Sequence, residues 1–512
     1  MRSRTAIGWL IGVLTAFVAV GVGETVAVLV RPVAAPLIAV GNRIIVLTPE
    51  SWKRPAIGKV GTNDKTYLIV GICVVLALVA ALIGTLALRS LVAGLVGVAL
   101  IGAFAVYCAA TAPASRASDV LPSLIGTAVA MAVLAGLVRL AHPGEAAGDR
   151  PAPALADRRV FLAGSGAAAV LAALAGFGGR AAQHARFDVA AKRRKLALPA
   201  ASAQSSAVPA GVDLGKSGVP WRTSNADFYR IDTALSVPQI DPDSWKLRIH
   251  GLVDTPMTLS FKELLARPLE EHWVTLNCVS NEVGGDLVSN ALFRGVRLDA
   301  LLREAGLRSG ADQLLMTSED GMTIGAPART VMDGRAALLA VGMNGKALPV
   351  EHGFPVRVVV PGLYGYISAC KWVVDLEATT FAKHKAYWVE GGWAQDAPIR
   401  MASRIDRPSS NEVLNVGEPF AVAGVAWEQH VGIGKVEVQI NNGPWATARL
   451  AAVPSEDTWR QWVYAWTPQE SGQYTIRVRA TDTLGRVQDA KVRDVFPSGA
   501  TGLHTASIRA VI

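Results

Sequence analysis

Apolar positions come in long unbroken runs in the first third of the chain and in short alternating runs after it. Residues 67–88 are 22 positions without a charge, enough for a helix to cross a hydrocarbon core of about 30 Å. Similar runs occupy 6–30, 91–112, 120–138 and 160–179, so the pattern predicts about five spans. The fifth is the richest in Ala and Gly, and a buried soluble helix is its alternative. Glu24 lies in the first run. An ionisable group there is costly in lipid and is a functional candidate, unless it reaches the headgroups.

Further along, residues 196–220 are rich in Ala, Ser, Pro and Gly without periodicity, as a linker is. Residues 245–251 then alternate like a strand, 260–266 suit a short capped helix, and 356–360 form an apolar strand running into Pro-Gly. From about 403 the texture changes. Alternating segments such as 435–440 and 474–480 are separated by Asn-Asn-Gly and Gly turns, which predicts an immunoglobulin-like β-sandwich. The expected organisation is an all-α membrane domain over 1–180, a linker over 181–220, an α+β domain over 221–402, the sandwich over 403–500 and a tail over 501–512.

Charge sharpens this division. The first 200 residues hold 20 Lys and Arg against 8 Asp and Glu, and the remainder 30 against 33. A nucleic-acid-binding domain would carry its basic excess on its own folded surface. Here the excess accompanies the apolar runs, so membrane lipid is expected as a partner and nucleic acid is not. The eight histidines stand at 142, 184, 250, 272, 352, 384, 430 and 504. None lies within a run, and no haem is expected, because haem in a helical membrane domain takes axial ligands such as His from the spans.

Before the fifth run stands Asp157-Arg158-Arg159-Val160-Phe161-Leu162. Charges at a span end are ordinarily topology determinants. The register Arg-Arg-x-Phe-Leu also resembles an uncleaved twin-arginine export signal, a signal anchor over 157–180. This would place a multi-pass protein in the cell membrane with residues 196–512 on the extracytoplasmic side. The basic residues Arg180, Arg186 and Lys192 to Lys195 after the span argue the other way.

Of four cysteines, Cys73 and Cys108 lie in apolar runs and read as small apolar residues. Cys278 and Cys370 belong to the remainder, where an exported domain could pair them in a disulfide. Cys278 ends the strand-like segment His-Trp-Val-Thr-Leu-Asn-Cys and precedes Asn281 and Gly284-Gly285, a turn from which a side chain can enter a cleft. It has no Cys, His or carboxylate at metal spacing, which makes a poor zinc site. It suits a metal whose other ligands come from an organic cofactor.

Several blocks in order then resemble the sulfite oxidase family of molybdenum enzymes. They are Phe228-Tyr229-Arg230, the segment 245–253, Thr275-Leu-Asn-Cys278-Val-Ser-Asn281, the segment 295–298, His352-Gly-Phe-Pro-Val-Arg357 through Gly362, and Ser368-Ala369-Cys370-Lys371-Trp372. The likeness runs over about 227–488. It implies a sulfite-oxidase-like molybdopterin fold, a molybdenum–molybdopterin cofactor (Moco) and Cys278 as thiolate ligand of the metal, beside the two sulfurs of one dithiolene. It assigns cofactor contacts to Phe228, Tyr229, Arg230, Asn281, His352, Arg357, Ser368, Ala369 and Lys371. Arg230 would also face the substrate, so the catalytic pair is Cys278 and Arg230.

The same resemblance implies oxygen-atom transfer with a small-molecule oxo-donor or oxo-acceptor and a homodimer formed through the sandwich, and the sequence's lack of a haem ligand pattern leads us to expect electrons to be exchanged with a separate protein or a quinone pool. A redox-inactive, membrane-tethered binding or sensor module is the alternative. The chain departs from the sulfite-oxidising pattern. Ile231-Asp232 stand for Asn-His, Glu282-Val283 for Arg-Arg, and Trp393 aligns near the active-site tyrosine. These changes predict a site less suited to sulfite and at least as suited to a neutral S-oxide or N-oxide.

Overall fold

A computed structural model describes residues 2–49, 52, 64–112, 115–141, 154–186, 189–203, 208–211, 214 and 220–512. Residues 142–153 and parts of the expected linker (187–188, 204–207, 212–213 and 215–219) lie outside the described residues, as do the side chains of Asp157, Arg158, Arg180 and Arg186. The chain forms two compact units, Met1–Val189 with Thr233–Gln239, and Ala190–Asp232 with Ile240–Ile512. The segment 233–239, expected inside the α+β domain, therefore falls with the helical unit.

In the first unit the apolar runs become α1 (Arg2–Leu29), α3 (Asp64–Ala87), α4 (Leu91–Ala110), α5 (Leu121–Ala141) and α6 (Ala154–Arg186). Among the described residues these are the five helices long and apolar enough to cross a membrane. Between α1 and α3 lies a shorter apolar helix not anticipated from the pattern, α2 (Pro36–Leu47), with Pro36 at its first turn, where a missing N–H is tolerated. Helix α1 packs on α3, α5 and α6, and small residues make this possible. A Cβ on Gly12 would fall 1.8 Å from the Ala80 carbonyl oxygen, and one on Gly84 2.0 Å from that of Gly8, so the α1–α3 crossing is backbone against backbone. Glu24 is buried in this bundle, and Arg31 just past α1 donates from Nε to Asp119 Oδ1 (2.9 Å).

The second unit begins at Ala190, one residue into α7 (Val189–Lys195), whose basic run is tied down locally. Lys192 Nζ bonds Asp241 (2.6 Å) and Asp243 (2.9 Å), and Arg193 donates to the Leu348 and Ala347 carbonyls. Ser202 N donates to Leu269 O, and Ala203 bridges Glu270 in parallel. This part of the expected linker is thus folded structure, because the backbone of Ser202 and Ala203 pairs with that of Leu269 and Glu271 instead of with water.

The α+β part has two sheets. One runs β2 (Met257–Ser260), β1 (Lys246–Gly251), β10 (Val373–Thr379), β5 (Gln313–Ser318), β6 (Thr323–Pro327), with β1 and β10 parallel. The other runs β3 (Glu270–Asn277), β4 (Val288–Arg297), β7 (Leu338–Met343), β8 (Lys346–Ala347), and β9 (Arg357–Val359) also pairs β7. The capped helix is Phe261–Leu265, with Ser260 and Glu263 bonding each other's backbone N–H.

The C-terminal part is a two-sheet β-sandwich. One sheet is β11 (Ala402–Arg407), β13 (Phe420–Trp427), β17 (Arg460–Trp466), β16 (Arg449–Leu450). The other is β12 (Val413–Asn415), β19 (Thr505–Val511), β18 (Gly472–Asp482), β14 (Ile433–Ile440), β15 (Ala446–Thr447). Trp462, Val436, Val478 and Ile508 meet in its core. The expected tail is corrected here, since β19 lies between β12 and β18 with Ala506, Ile508 and Ala510 buried. Two of those three inward residues are alanines, a weak signal beside the Val- and Ile-rich strands.

Candidate active site

Cys278 follows directly on β3, in the connection to β4. Its N–H donates to Leu287 O (2.9 Å), its carbonyl accepts from Asn281 N (3.1 Å), and Asn281 Oδ1 accepts from Leu287 N (2.8 Å). Asn281 therefore closes the loop that presents the thiol. Burial pushes the Cys278 thiol up, opposed by hydrogen bonds from Ser280 and by the charge of Lys371. All four cysteines are free, so Cys278 and Cys370 do not pair. Cys370 is fully buried, and burial raises its thiol as well.

Of the other residues singled out in the sequence, Tyr229 and Lys371 lie within electrostatic reach of this thiol, and Arg357, His352 and Arg230 within reach of one or both of them. Phe228 packs edge-on against His352 (ring centroids 5.4 Å) and against Phe293 of β4 (6.2 Å). Tyr229 N donates to Ser289 Oγ (3.2 Å). Burial raises the Tyr229 phenol, and the Cys278 thiol adds to this while Arg357 opposes it. His352, 3% exposed, is driven down to about 3 by burial and by the charges of Arg357 and Lys371, so it is a neutral imidazole. Ser368 Oγ lies 3.0 Å from the carbonyl oxygens of Leu363 and Tyr364.

Arg357, at the start of β9, is 4% exposed, and its guanidinium sits 5.8 Å from the Phe293 ring centroid. Its hydrogen bonds go to two backbone carbonyls, His352 O (3.2 Å) and Ala369 O (3.5 Å), and its Nε has no partner among the described residues. Burial lowers it to about 10. A buried guanidinium without a carboxylate is costly unless an anion joins it. Gly353, at φ +107°, lies between Arg357 and Lys371, and a Cβ there would come within 3.0 Å of Arg357 Cβ and 3.2 Å of Lys371 Cα. The donor set, a buried thiol and a buried guanidinium with no carboxylate partner among the described residues, both acting on the Tyr229 phenol, fits a molybdopterin carrying its own metal ligands and an anionic phosphate.

Lys371 is arranged differently. Its Nζ bonds Asp232 Oδ2 (2.8 Å) and Glu351 O (3.3 Å), and Arg230 Nε donates to the same Asp232 oxygen (2.9 Å). Burial lowers Lys371 to about 8 against the opposing effect of Asp232. Asp232 thus joins two cations expected at the site, and its side chain is 5% exposed. Asp320 lies in the same electrostatic neighbourhood, its carboxyl raised by burial and by Asp232.

Two departures noted in the sequence resolve differently in space. Glu282 and Val283 are exposed, and their loop packs on the sandwich: Arg404 Nη1 donates to Gly285 O (2.9 Å), and a Cβ on Gly284 would strike His504. The acid that meets the site cations is Asp232. Trp393 is buried among Tyr366, Trp388 and Phe496. A phenol is nevertheless present. Tyr364, 3% exposed, accepts from Arg400 N (3.3 Å) and is pushed up to about 12 by burial, with the Cys278 thiol contributing. Its signal was the turn Pro361-Gly362-Leu363-Tyr364-Gly365, which bends the chain back after β9.

Fold and site define a molybdopterin-binding oxidoreductase. Residues 234–388 match the family described as Oxidoreductase molybdopterin binding domain, and 402–478 that described as Bacterial Ig domain. The uncharacterised oxidoreductase YuiH of Bacillus subtilis is 32% identical over 192 residues, 38% of this chain and 88% of that protein. Mitochondrial sulfite oxidase of Rattus norvegicus is 30% identical over 311 residues, 51% of this chain and 56% of that protein. The chain therefore spans about half the length of the rat enzyme. The sulfane dehydrogenase SoxCD of Paracoccus pantotrophus, a solved structure, is 25% identical with a TM-score of 0.48, covering 56% of this chain and 81% of that one. The chain belongs to the sulfite oxidase family of molybdopterin-dependent oxidoreductases.

Proposed function

We propose that this chain is a membrane-anchored oxidoreductase that transfers an oxygen atom between a molybdenum–molybdopterin centre, ligated by Cys278, and a neutral S-oxide or N-oxide. The bound cofactor would supply the two-electron oxo chemistry. Arg357 would hold the pterin phosphate by charge-assisted hydrogen bonds, with Ser368, Ala369, Phe228 and neutral His352 shaping the cradle. Cys278 must shed its proton to ligate a metal, so loading would release a proton and grow easier as pH rises. Arg230 would orient the substrate oxygen beside the Tyr364 and Tyr229 phenols.

The observation that carries the choice of substrate is Asp232. It bonds both Arg230 and Lys371, cancelling charge that an anionic oxyacid would need. Anchoring rests on the five apolar helices. An extracytoplasmic catalytic domain, a homodimer through the sandwich, and electrons drawn from a separate carrier or a quinone pool belong to the same proposal.

Steady-state kinetics of Asp232→Asn test the substrate assignment. Freeing one charge-assisted contact is worth about 1.5–3 kcal/mol, so kcat/KM for sulfite should rise about 10- to 150-fold relative to a neutral sulfoxide. The assay belongs at pH 6, where Lys371 keeps its proton. Wild-type sulfite oxidation with a micromolar KM, or an unchanged ratio in a variant with normal molybdenum content, would refute it.

A further inference from the structure

The basic helix α7 borders a pocket of about 440 Å³ in the second unit, with Arg193, Arg194, Arg294 and Lys346 among its lining residues and no Asp or Glu. Arg294 is neutralised, its Nε (2.9 Å) and Nη2 (2.7 Å) both donating to Glu271 Oε1. The other three are not. Arg193 donates to the Leu348 and Ala347 carbonyls, which fix its guanidinium without cancelling its charge. Burial holds Arg193 below its ordinary value, with Glu351 opposing this and the charge of Arg194 adding to it. Arg194 and Lys346 are exposed and so within reach of a ligand. Lys346 opens β8 directly after Asn344 and Gly345, whose positive φ values (52° and 79°) make the two-residue turn from β7. None of Arg193, Arg194 and Lys346 has a carboxylate within ion-pair distance among the described residues.

A hollow lined by charge of one sign concentrates counter-ions, and guanidinium groups match phosphate oxygens in geometry as well as charge. The pocket is also lined by Leu196, Ala197 and Leu198, an apolar flank that a bare phosphate leaves unused. Its place in the chain points the same way. The fifth apolar span ends at Gly179, so the basic run falls within about 15–20 residues of a span end, where Lys and Arg attract anionic headgroups. We propose that this pocket binds an acidic phospholipid, Arg193, Arg194 and Lys346 holding the headgroup phosphate and Leu196 and Leu198 meeting the first methylenes of its acyl chains. The site shares no residue with the molybdopterin cradle and does not depend on the substrate assigned there.

Three probes test this on the full chain solubilised in an uncharged detergent: dihexanoylphosphatidylglycerol, dihexanoylphosphatidylcholine with the same tails and no net charge, and inorganic phosphate. Wild type should bind the phosphatidylglycerol saturably, near one per chain, and take up the phosphatidylcholine no more than empty micelles do. Inorganic phosphate should displace the phosphatidylglycerol only at far higher concentration. Arg194→Gln and Lys346→Gln remove exposed charges that make no ion pair, so the thermal midpoint should not move. Each should weaken phosphatidylglycerol binding about five-fold and the pair together about thirty-fold. The proposal is overturned if the two lipids bind alike or if the double variant keeps wild-type affinity. Inorganic phosphate binding as tightly as phosphatidylglycerol would also overturn it, by making a soluble anion the occupant.

Discussion

Lys371 is a base held where its charge is least welcome. Burial lowers it to about 8 from an ordinary 10.5, and only Asp232 opposes this. In the cofactor-free protein the folded state gives up this proton near pH 8 and the unfolded chain near 10.5. Between those values the unfolded state binds more protons, so this group's contribution to stability rises with pH across that window. Urea unfolding of cofactor-free protein at pH 7.5 and 9.5 should show the rise, and Lys371→Met should flatten it. An equal slope in both would mean that the site cations are not desolvated. At this scale Cys278, Arg357, Lys371 and the Phe228 block were legible because ordered motif blocks carry them. Tyr364 was not legible as a site group, and Asp232 showed only as a departure at a motif position, since the importance of both lies in contacts between segments distant in sequence. Asp232 meets Lys371 across 139 positions.

The element that presents the thiol, β3, is an edge strand of its sheet, and exposed edges invite wrong pairing. The sandwich covers this one. Thr275 N donates to Asp457 O (2.9 Å), Gln429 Nε2 to Thr275 O (3.0 Å), and Trp459 N to Thr275 Oγ1 (2.8 Å), while that hydroxyl also donates to Asn290 Oδ1 (3.0 Å) on β4. Thr275→Val keeps the shape but leaves the Trp459 N–H and the Asn290 carbonyl oxygen wanting, a cost of about 2–4 kcal/mol. Denaturant unfolding should show that loss, together with weaker cofactor retention three residues further along, and a change under about 0.5 kcal/mol would show that the sandwich does not brace β3. Strand periodicity announced β3, β9, β14 and β18. It missed β19, whose inward positions are mostly alanine, and it could not register that β3 has one edge covered by another domain.

Across the whole molecule, the five apolar runs were the most legible feature, because length and absence of charge alone define them. Orientation is harder, since the basic run after the fifth helix is partly consumed by folded contacts: Lys192 with Asp241 and Asp243, Arg193 with two carbonyls. Charges held in this way inform poorly about sidedness. If the twin-arginine reading holds, changing Arg158 and Arg159 together to Lys should leave the catalytic domain in the cytoplasm while the earlier helices still insert. Reporter fusions at the C-terminus would detect this, and a cytoplasmic C-terminus in the unaltered protein would refute export.

The central claim is that Cys278 is the protein's own ligand to molybdenum. Metal analysis with molybdenum X-ray absorption on the purified full chain tests it most directly. Wild type should carry about one molybdenum per chain with a sulfur shell made of the dithiolene pair and one further thiolate. Cys278→Ser should lose that further sulfur and redox turnover while keeping its fold, and Cys370→Ser should keep both at a stability cost of about 1–3 kcal/mol for a buried hydroxyl. Molybdenum absent from wild type, or a sulfur shell unchanged in Cys278→Ser, would contradict the account.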